Sequence, residues 1–216
     1  MGKLNQGILG GFTGTVGTVI GMCKKNGDDI IIAKSKRKRT SNTEGQVNQR
    51  TKFGLVTGFM QPLNPVVKYG CRMVAGNTMT PYNYACKNAL DKALTGVAPD
   101  VELDYSKVLI SDGILSQPTG TTAQLVEDVV NFKWNDNSDS SSGIGTDKAV
   151  MVVYNVDNYE VSYSIGKVTR ASGSGSLPIP NSAVGDKLLF YIFFQSANDQ
   201  FNVSSSQYLG TATVSA

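Results

Sequence analysis

The chain has 216 residues, of which 40% are hydrophobic and 17% charged, with 23 glycines and a net charge of +3. This composition is typical of a folded protein with one large domain or two small ones. The absence of histidine excludes Ser-His-Asp and Cys-His catalysis and most zinc and haem sites. Three cysteines without a CxxC pair indicate a reducing compartment rather than a disulfide framework or a metal cluster.

The N-terminal segment does not have the pattern of a signal peptide. Five glycines interrupt the apolar residues between Ile8 and Met22, so that no continuous apolar region forms. No stretch of the chain approaches the roughly 18 apolar residues that a membrane-spanning helix needs. We therefore expect a protein that is made in the cytoplasm without an export signal and that ends there or in a virion or other particle.

Residues 11–33 predict two β-strands around a turn. Asn26-Gly27 favours a hairpin because both residues tolerate positive φ. The glycines do not fit a phosphate-binding loop, since no Gly-Lys-Ser/Thr sequence opens a helix here. They are typical of closely packed strands, and we predict subunit contacts through Gly10, Gly11, Phe12, Gly14, Val16, Gly17 and Val19.

Five of the six residues from 34 to 39 are Lys or Arg. Such a run can neutralise phosphates and give sequence-independent binding that weakens with salt. An acidic partner surface or a solvated linker explains the run equally well. No aromatic residues alternate with the charges, which does not support a platform for stacking bases. The candidate residues for a polyanion or an acidic partner are Lys34, Lys36, Arg37, Lys38, Arg39, Arg50 and Lys52.

Two helices are predicted after the basic run. Thr43 and Gln46 fit a capping box, which predicts a helix from about Thr43 to Met60 that Pro62 and Pro65 end. Gly54 and Gly58 would let another backbone approach closely, at a cost of about 1 kcal/mol each relative to Ala, and we predict subunit contacts there too.

The second helix has stronger boundary signals. Thr80 caps it, Pro81 occupies its first turn, and Gly96 stands past its end. Small residues on its apolar face, among them Ala85 and Ala89, predict a tight contact with another helix.

From Asp104 onward the apolar pattern has a period of two, which predicts about seven strands of a β-sandwich. Ala149–Tyr154 and Leu188–Phe194 are apolar on both faces and are predicted as central strands. The fold class is therefore α+β, with an N-terminal β-hairpin and two helices followed by a C-terminal immunoglobulin-like β-sandwich. The predicted segments are an arm with the basic run (1–40), a helical segment (41–102) and the sandwich (103–216). The predicted strands are Tyr105–Ile110, Val126–Trp134, Lys148–Asn155, Tyr159–Ile165, Lys167–Arg170 with Ser176–Ile179, Lys187–Gln195 and Tyr208–Val214.

Acidic residues give only weak indications of chemistry. Asp28-Asp29, Glu127-Asp128 and Asp136 with Asp139 are candidate carboxylate pairs, but the sequence cannot place them in one cleft. Asp136, Asn137, Asp139 and Asp147 could supply oxygens to calcium, although the EF-hand spacing is missing and a solvated loop explains them as well. We predict no enzyme, no metal, no cofactor and no small-molecule substrate.

The sandwich resembles a fibronectin type III or immunoglobulin-like module, on the basis of Trp134, the strand that ends near Tyr154, and Gly185-Asp186 before Leu188–Phe194. Nearly the whole chain is similar to an uncharacterised family of small Bacteroidota-type proteins, a domain-of-unknown-function group. The chain departs from that family at Met22-Cys23-Lys24-Lys25, where the family has Ser-Trp-Lys-Gly. The blocks that carry the similarity are GILGGFTGTVGTVIG, NTEGQVNQRTKFGLV, FMQPLNP, DYSKVLIS, FKWNDN, DKAVMVVYN and YLG.

That resemblance implies no activity, so function is predicted from the residues. A glycine-rich arm, a basic run, tight helices and a sandwich are typical of a structural protein that assembles into a homo-oligomer or particle, of virion, tail or surface-lattice type. One alternative is a nucleic-acid-binding protein that uses the basic run. Another is a ligand- or carbohydrate-binding module that uses sandwich loops, with Tyr159, Phe201 and Tyr208 as the nearest aromatic residues.

Overall fold

A computed structural model describes residues 3–4, 11–23, 29–35, 43–76, 79–97, 99–138 and 143–215. Contacts divide the chain into two compact units, Met1–Asn42 and Thr43–Ala216. We call them the arm unit and the main unit and describe each by itself.

The arm unit contains an antiparallel sheet in the order β1-β2-β3-β4. The predicted pairing is confirmed, since β3 and β4 pair with Cys23 opposite Asp29. Asn26 and Gly27, on which the turn was predicted, lie outside the described residues. The first predicted strand is two strands, because Gly17 adopts a φ of +57° and turns the chain back on itself. The strands are β1 (Lys3–Leu4), β2 (Phe12–Val16), β3 (Val19–Cys23) and β4 (Asp29–Ala33).

The main unit begins with three helices, α1 (Glu44–Gly70), α2 (Arg72–Ala75) and α3 (Pro81–Lys92). The capping box is confirmed, because the Thr43 Oγ1 accepts from the Gln46 amide and the Gln46 Oε1 accepts from the Thr43 amide. The cap of α3 is confirmed too, since the Thr80 Oγ1 accepts from the amide of Asn83 at 3.2 Å.

The prediction that α1 ends at its prolines was wrong, because the helix continues through Pro62 and Pro65 to Gly70. Each proline removes a helical hydrogen bond and costs about 3 kcal/mol. Burial of Leu63, Val66 and Val67, each fully inaccessible to solvent, offsets that cost at about 1.5–3 kcal/mol per side chain. Packing therefore overrides the local preference of the sequence.

The small face of α3 packs against α1, as the sequence predicted. Ala85, Cys86 and Ala89 are buried there. The helix ends at Lys92 with Ala93 as its C-cap. Gly96 has a different role, since its φ of +82° turns the chain between two short strands, β5 (Leu94–Thr95) and β6 (Glu102–Leu103).

The remaining strands form a β-sandwich with sheets in the orders β10-β9-β12-β13 and β11-β8-β7. This confirms the predicted α+β fold with an immunoglobulin-like C-terminal half. The bounds predicted for β9 and β12 agree with the structure. The strands are β7 (Thr119–Val126), β8 (Val129–Asn135), β9 (Lys148–Asn155), β10 (Glu160–Thr169), β11 (Ser174–Pro178), β12 (Lys187–Gln195) and β13 (Gln207–Thr213).

The strand predicted at Tyr105–Ile110 was wrong. Residues Tyr105–Lys107 form a 3-10 turn, with the Asp104 side chain as its N-terminal cap. The Asp104 Oδ1 accepts from the amide of Ser106 at 3.1 Å and from its hydroxyl at 2.6 Å. Such local hydrogen bonds to a side chain satisfy backbone groups that would otherwise pair with another strand.

The central sheet is buried on both faces, which makes the main unit a three-layer structure. Val152, Tyr154 and Tyr191 belong to a core shared with α1 and α3. Met151 and Phe190 belong to a second core shared with the β11-β8-β7 sheet. The sequence prediction divided the helices from the sandwich at residue 102, whereas the contacts group both in one unit.

A buried ion pair lies at one end of the sandwich. The Arg170 Nη2 and the Asp147 Oδ2 are 3.1 Å apart, and both side chains are fully buried. The guanidinium also donates to the Ser116 carbonyl and stands 4.1 Å from the ring centroid of Phe194. The carbonyl of Arg170 accepts from the Trp134 indole at 2.7 Å. Asp147, one of the residues considered as a calcium ligand, is therefore the counter-ion of Arg170.

None of the helices in the described ranges is both long and apolar enough to cross a membrane.

Replacing Asp147 by Asn should destabilise the fold strongly, because the buried guanidinium of Arg170 loses its counter-charge while the side-chain volume is kept. We expect the free energy of unfolding to fall by about 3–5 kcal/mol in urea denaturation. Asp128→Asn, at an exposed turn, is the matched control and should change it by less than about 0.5 kcal/mol. Similar small effects of both substitutions would contradict this account of the ion pair.

Stability should also fall in alkali. The Tyr84 hydroxyl donates to the Asp112 carboxylate at 2.6 Å, and this bond, with burial, raises the pKa of Tyr84 to about 12. Because an unfolded tyrosine has a pKa of about 10, the contribution is complete below pH 10 and is lost as the pH rises to about 12. Tyr84→Phe should therefore lose less stability than the native chain between those values in urea titrations. Parallel losses in the two proteins would show that this bond is not responsible.

Candidate assembly surfaces

The arm sheet exposes apolar side chains on both faces. Residues that face each other across the strands share a face, so Met22 and Ile32 lie on one face and Val16 and Ile31 on the other. These four side chains are 43–64% exposed. Among the arm residues whose burial is described, 11–22 and 29–35, Gly21 alone is buried. Among its described side chains, the arm sheet thus exposes a large apolar surface and buries very little of it.

Gly21 is required by a close contact within this sheet. A Cβ built on it would lie 2.2 Å from the Phe12 carbonyl oxygen and 2.7 Å from the nearest atoms of the Phe12 ring. The ring therefore covers the glycine, which explains why Phe12 is only partly exposed. Gly14, Val16 and Val19 lie in the same sheet, Gly17 lies in its turn and Gly11 just before β2, whereas Gly10 lies outside the described residues.

The basic candidates are divided between the two units. Lys34 is exposed just after β4, and its amide donates to the Thr18 carbonyl at 2.8 Å. Arg50 and Lys52 lie on α1, exposed and half-buried respectively. Residues Lys36–Arg39 lie outside the described residues, so polyanion binding stays a prediction.

Three separate cavities lie in succession along α1 in the main unit and form an interrupted groove. Its α1 wall is a helical stripe from Glu44 through Thr51 and Gly58 to Pro62, about 27 Å long at 1.5 Å per residue. We call this the α1 groove. It has three consecutive parts of about 470, 480 and 540 Å³. The opposite wall is supplied by Val97, Pro99, Val101–Leu103, Tyr105, Val156, Tyr159 and Lys187.

Gly54 and Gly58 form an open part of the groove wall. A Cβ built on either residue would meet no described atom within 4 Å. Neither glycine is therefore needed for packing among the described residues, although each costs the helix about 1 kcal/mol relative to Ala. Sequence reasoning selected both as subunit contacts, and the structure places both in the α1 groove.

Two backbone carbonyls of α1 lack the hydrogen-bond donor that a helix normally provides. Pro62 has no amide hydrogen to donate to the carbonyl four residues earlier, which belongs to Gly58. Pro65 deprives the Gln61 carbonyl in the same way. Gly58, Gln61 and Pro62 line the same part of the groove. The groove therefore combines apolar side chains with carbonyl groups that lack their usual helical donor.

Tyr159 stands at the edge of the groove in a strained conformation. Its φ is +60°, a region that a tyrosine rarely adopts, and its side chain is 58% exposed. The turn before it is held by Asn155, whose Oδ1 accepts from the amides of Asp157 and Asn158. Because the strained backbone does not bury the Tyr159 side chain, we take Tyr159 as a candidate contact residue. The sequence offered no signal for it beyond an aromatic residue in a loop.

The other aromatic residues considered for a ligand site have partners. Tyr208 packs against Tyr191 with ring centroids 5.3 Å apart. Phe201 faces the Arg72 guanidinium at 5.4 Å. Of these three aromatic residues, Tyr159 alone is among the described residues that line the α1 groove.

Charge in the groove is arranged along its length. Glu44 lies at the start of α1, and Glu102 and Lys187 line the middle part. The Lys187 Nζ lies 5.1 Å from the Tyr105 ring, which in turn stacks on Phe59 of α1. Arg50 and Lys52 are not among the lining residues, so the basic candidates of α1 and the groove are different surfaces.

The described residues contain no group of three His, Cys, Asp or Glu side chains that could hold a metal ion. Cys71 and Cys86 are free and buried, and burial raises the pKa of the Cys71 thiol to about 12. These two thiols are therefore poor nucleophiles. The side chain of Cys23 is not described.

Comparison with known proteins assigns the chain to a family but not to an activity. A family model described as a family of unknown function, DUF6266, matches residues 11–210. The chain belongs to the DUF6266 family. This confirms the resemblance to an uncharacterised family, while the bacterial group named for it stays a prediction.

The DUF6266 chain matches no curated protein. Among solved structures, it is similar to the fn3 domain of the human collagen alpha-1(XX) chain, with 13% sequence identity and a TM-score of 0.34. That similarity covers 49% of this chain and 89% of the collagen domain.

Alanine at the groove glycines should stabilise the fold. Gly54→Ala and Gly58→Ala should each raise the free energy of unfolding by about 1 kcal/mol in urea at low protein concentration, because both sites are open and Ala favours the helix. Gly70→Ala is the control, since its Cβ would lie 2.4 Å from the Ile110 carbonyl oxygen and should destabilise the protein. Destabilisation by all three substitutions would show that the groove glycines are packed.

Proposed function

We propose that this DUF6266 protein is a non-enzymatic structural protein that assembles with copies of itself through its arm unit. The observation that carries the proposal is the arm sheet, which exposes apolar side chains on both faces and buries only Gly21 among its described residues. Small sheets need a covered hydrophobic face for stability. A partner surface is therefore the simplest way to bury these side chains.

The position of the exposed residues supports the same proposal. Ile31 lies in β4, the edge strand of the described sheet, with the larger part of its side chain in solvent. An exposed, apolar edge strand pairs readily with other chains unless charge or proline protects it. Asp29 and Lys34 flank this strand, but its centre is Ile30–Ile32. A protein that stays monomeric rarely keeps such an edge open.

The proposed product is a homo-oligomer or a larger particle, for example part of a virion, a tail or a surface lattice. The main unit supports this role through its three-layer core, which would act as the body that each arm connects to a neighbour. The thiols of Cys71 and Cys86 and the paired carboxylate of Asp147 are buried and are not presented at the surface. Assembly is the function that we propose for this chain.

A charge in the arm should weaken assembly selectively. Ile31→Asp places a carboxylate in the proposed contact, and we expect it to raise the dissociation constant of the oligomer by a factor on the order of ten or more, measured by sedimentation velocity. Val126→Asp is the matched control, because Val126 is also an exposed strand residue, at 53%, but lies in the sandwich. An oligomer that tolerates both substitutions equally would refute the role of the arm.

A further inference from the structure

We propose that the α1 groove of one copy receives strand β4 of a second copy. This inference rests on the proposed function, because it names the surface that accepts the arm. The α1 groove is lined by exposed apolar residues, among them Val47, Leu55 and Val97, which are 44%, 38% and 64% exposed. Strand β4 supplies three consecutive isoleucines. An apolar strand and an apolar groove thus bury each other's surface.

Backbone chemistry favours a strand as the occupant. The carbonyls of Gly58 and Gln61 lack their helical donors because Pro62 and Pro65 have no amide hydrogen. An edge strand carries a row of amide hydrogens on its free side, and such groups are donors for these carbonyls. Gly54 and Gly58 allow that backbone to approach, since no Cβ stands in its way. This contact would give the two glycines and two prolines of α1 a common role.

Length and charge set the direction of the strand. The five residues of β4 span about 17 Å at 3.3 Å per residue, which fits within the groove of about 27 Å. Glu44 lies at the N-terminal end of the groove, and Lys187 lies further along, at the level of Phe59. An orientation antiparallel to α1 places Lys34 of the strand toward Glu44 and Asp29 toward Lys187. Both ends of the strand then meet opposite charge.

Charge also favours the arm of a second copy over an unrelated acidic peptide. The sequence after β4 continues with the basic run to Arg39, and the groove carries Glu44 and Glu102. In the antiparallel orientation, the chain leaves β4 at the end of the groove where Glu44 lies. In this account the basic run contacts an acidic protein surface, which was one of the alternatives that the sequence left open.

Cysteine crosslinking between differently tagged copies tests the contact. Both copies carry Cys23→Ser; one also carries Ile31→Cys and the other Leu55→Cys, and the two are co-expressed as full-length chains. Oxidation should give a crosslinked pair of differently tagged chains. When Val126→Cys replaces Leu55→Cys, that pair should be lost, although Val126 is at least as exposed as Leu55. The buried Cys71 and Cys86 should not react.

The outcomes separate the two proposals. An oligomer of normal mass that crosslinks no better through Leu55→Cys than through Val126→Cys overturns the groove and leaves assembly standing. A chain that is monomeric before any substitution overturns both. Both cysteines can also be placed in a single copy. A crosslink within that copy, together with no crosslink between differently tagged copies, overturns the contact with a second copy.

A second measurement avoids substitutions in the arm. Glu44→Lys reverses the charge that Lys34 meets at the N-terminal end of the groove and should raise the dissociation constant of the oligomer by a factor on the order of five. Glu160→Lys, an exposed change at the start of β10, is the control and should leave it unchanged. Circular dichroism should show the same fold in all three proteins. Equal dissociation constants for the groove variant and the control overturn the proposal.

Discussion

The central constraint of the main unit is that strands β9 and β12 are apolar on both faces. Such strands need a covering layer on each side, and one chain must supply both layers. The helices cover one face, with the Phe59 ring edge-on to Tyr154 at 4.8 Å. The β11-β8-β7 sheet covers the other, where Phe132 meets Phe190 at 6.3 Å. The course of α1 follows from this requirement, because the burial of its apolar stripe over the central sheet is what keeps the helix intact through two prolines.

The arm presents the opposite situation. It has the apolar residues of a core strand in β4 but no layer to cover them among the residues described for that unit. A similar mismatch occurs along α1, where glycines, a strained tyrosine and carbonyls without helical donors lie at one open groove. Each feature is costly in a free monomer, by roughly 1 kcal/mol for a helix glycine and 1–3 kcal/mol for a strained residue. Assembly would account for these costs together, because the features that destabilise the free monomer would form the contact with another copy.

Sequence patterns predicted those parts of the fold in which local and tertiary preferences agree. The bounds of β9 and β12, the caps at Thr43 and Thr80 and the small face of α3 follow from periodicity and from short-range hydrogen bonding. The patterns failed where distant contacts decide: tertiary burial carried α1 past Pro62, and the side chain of Asp104 replaced a predicted strand by a turn. Arg170 could not be found at all, since a lone arginine in a strand-rich segment gives no sign that Asp147 will neutralise it. The α1 groove likewise depends on walls from three distant parts of the sequence, although Gly54 and Gly58 could be selected by their cost.

The central claim, that the chain assembles with copies of itself, is tested most directly by the mass of the full-length protein in solution. Size-exclusion chromatography with light scattering over a range of concentrations measures that mass independently of shape. The account predicts a mass that is a multiple of 23.0 kDa and that falls toward the chain mass only on dilution. A constant mass of 23.0 kDa at every concentration would contradict it.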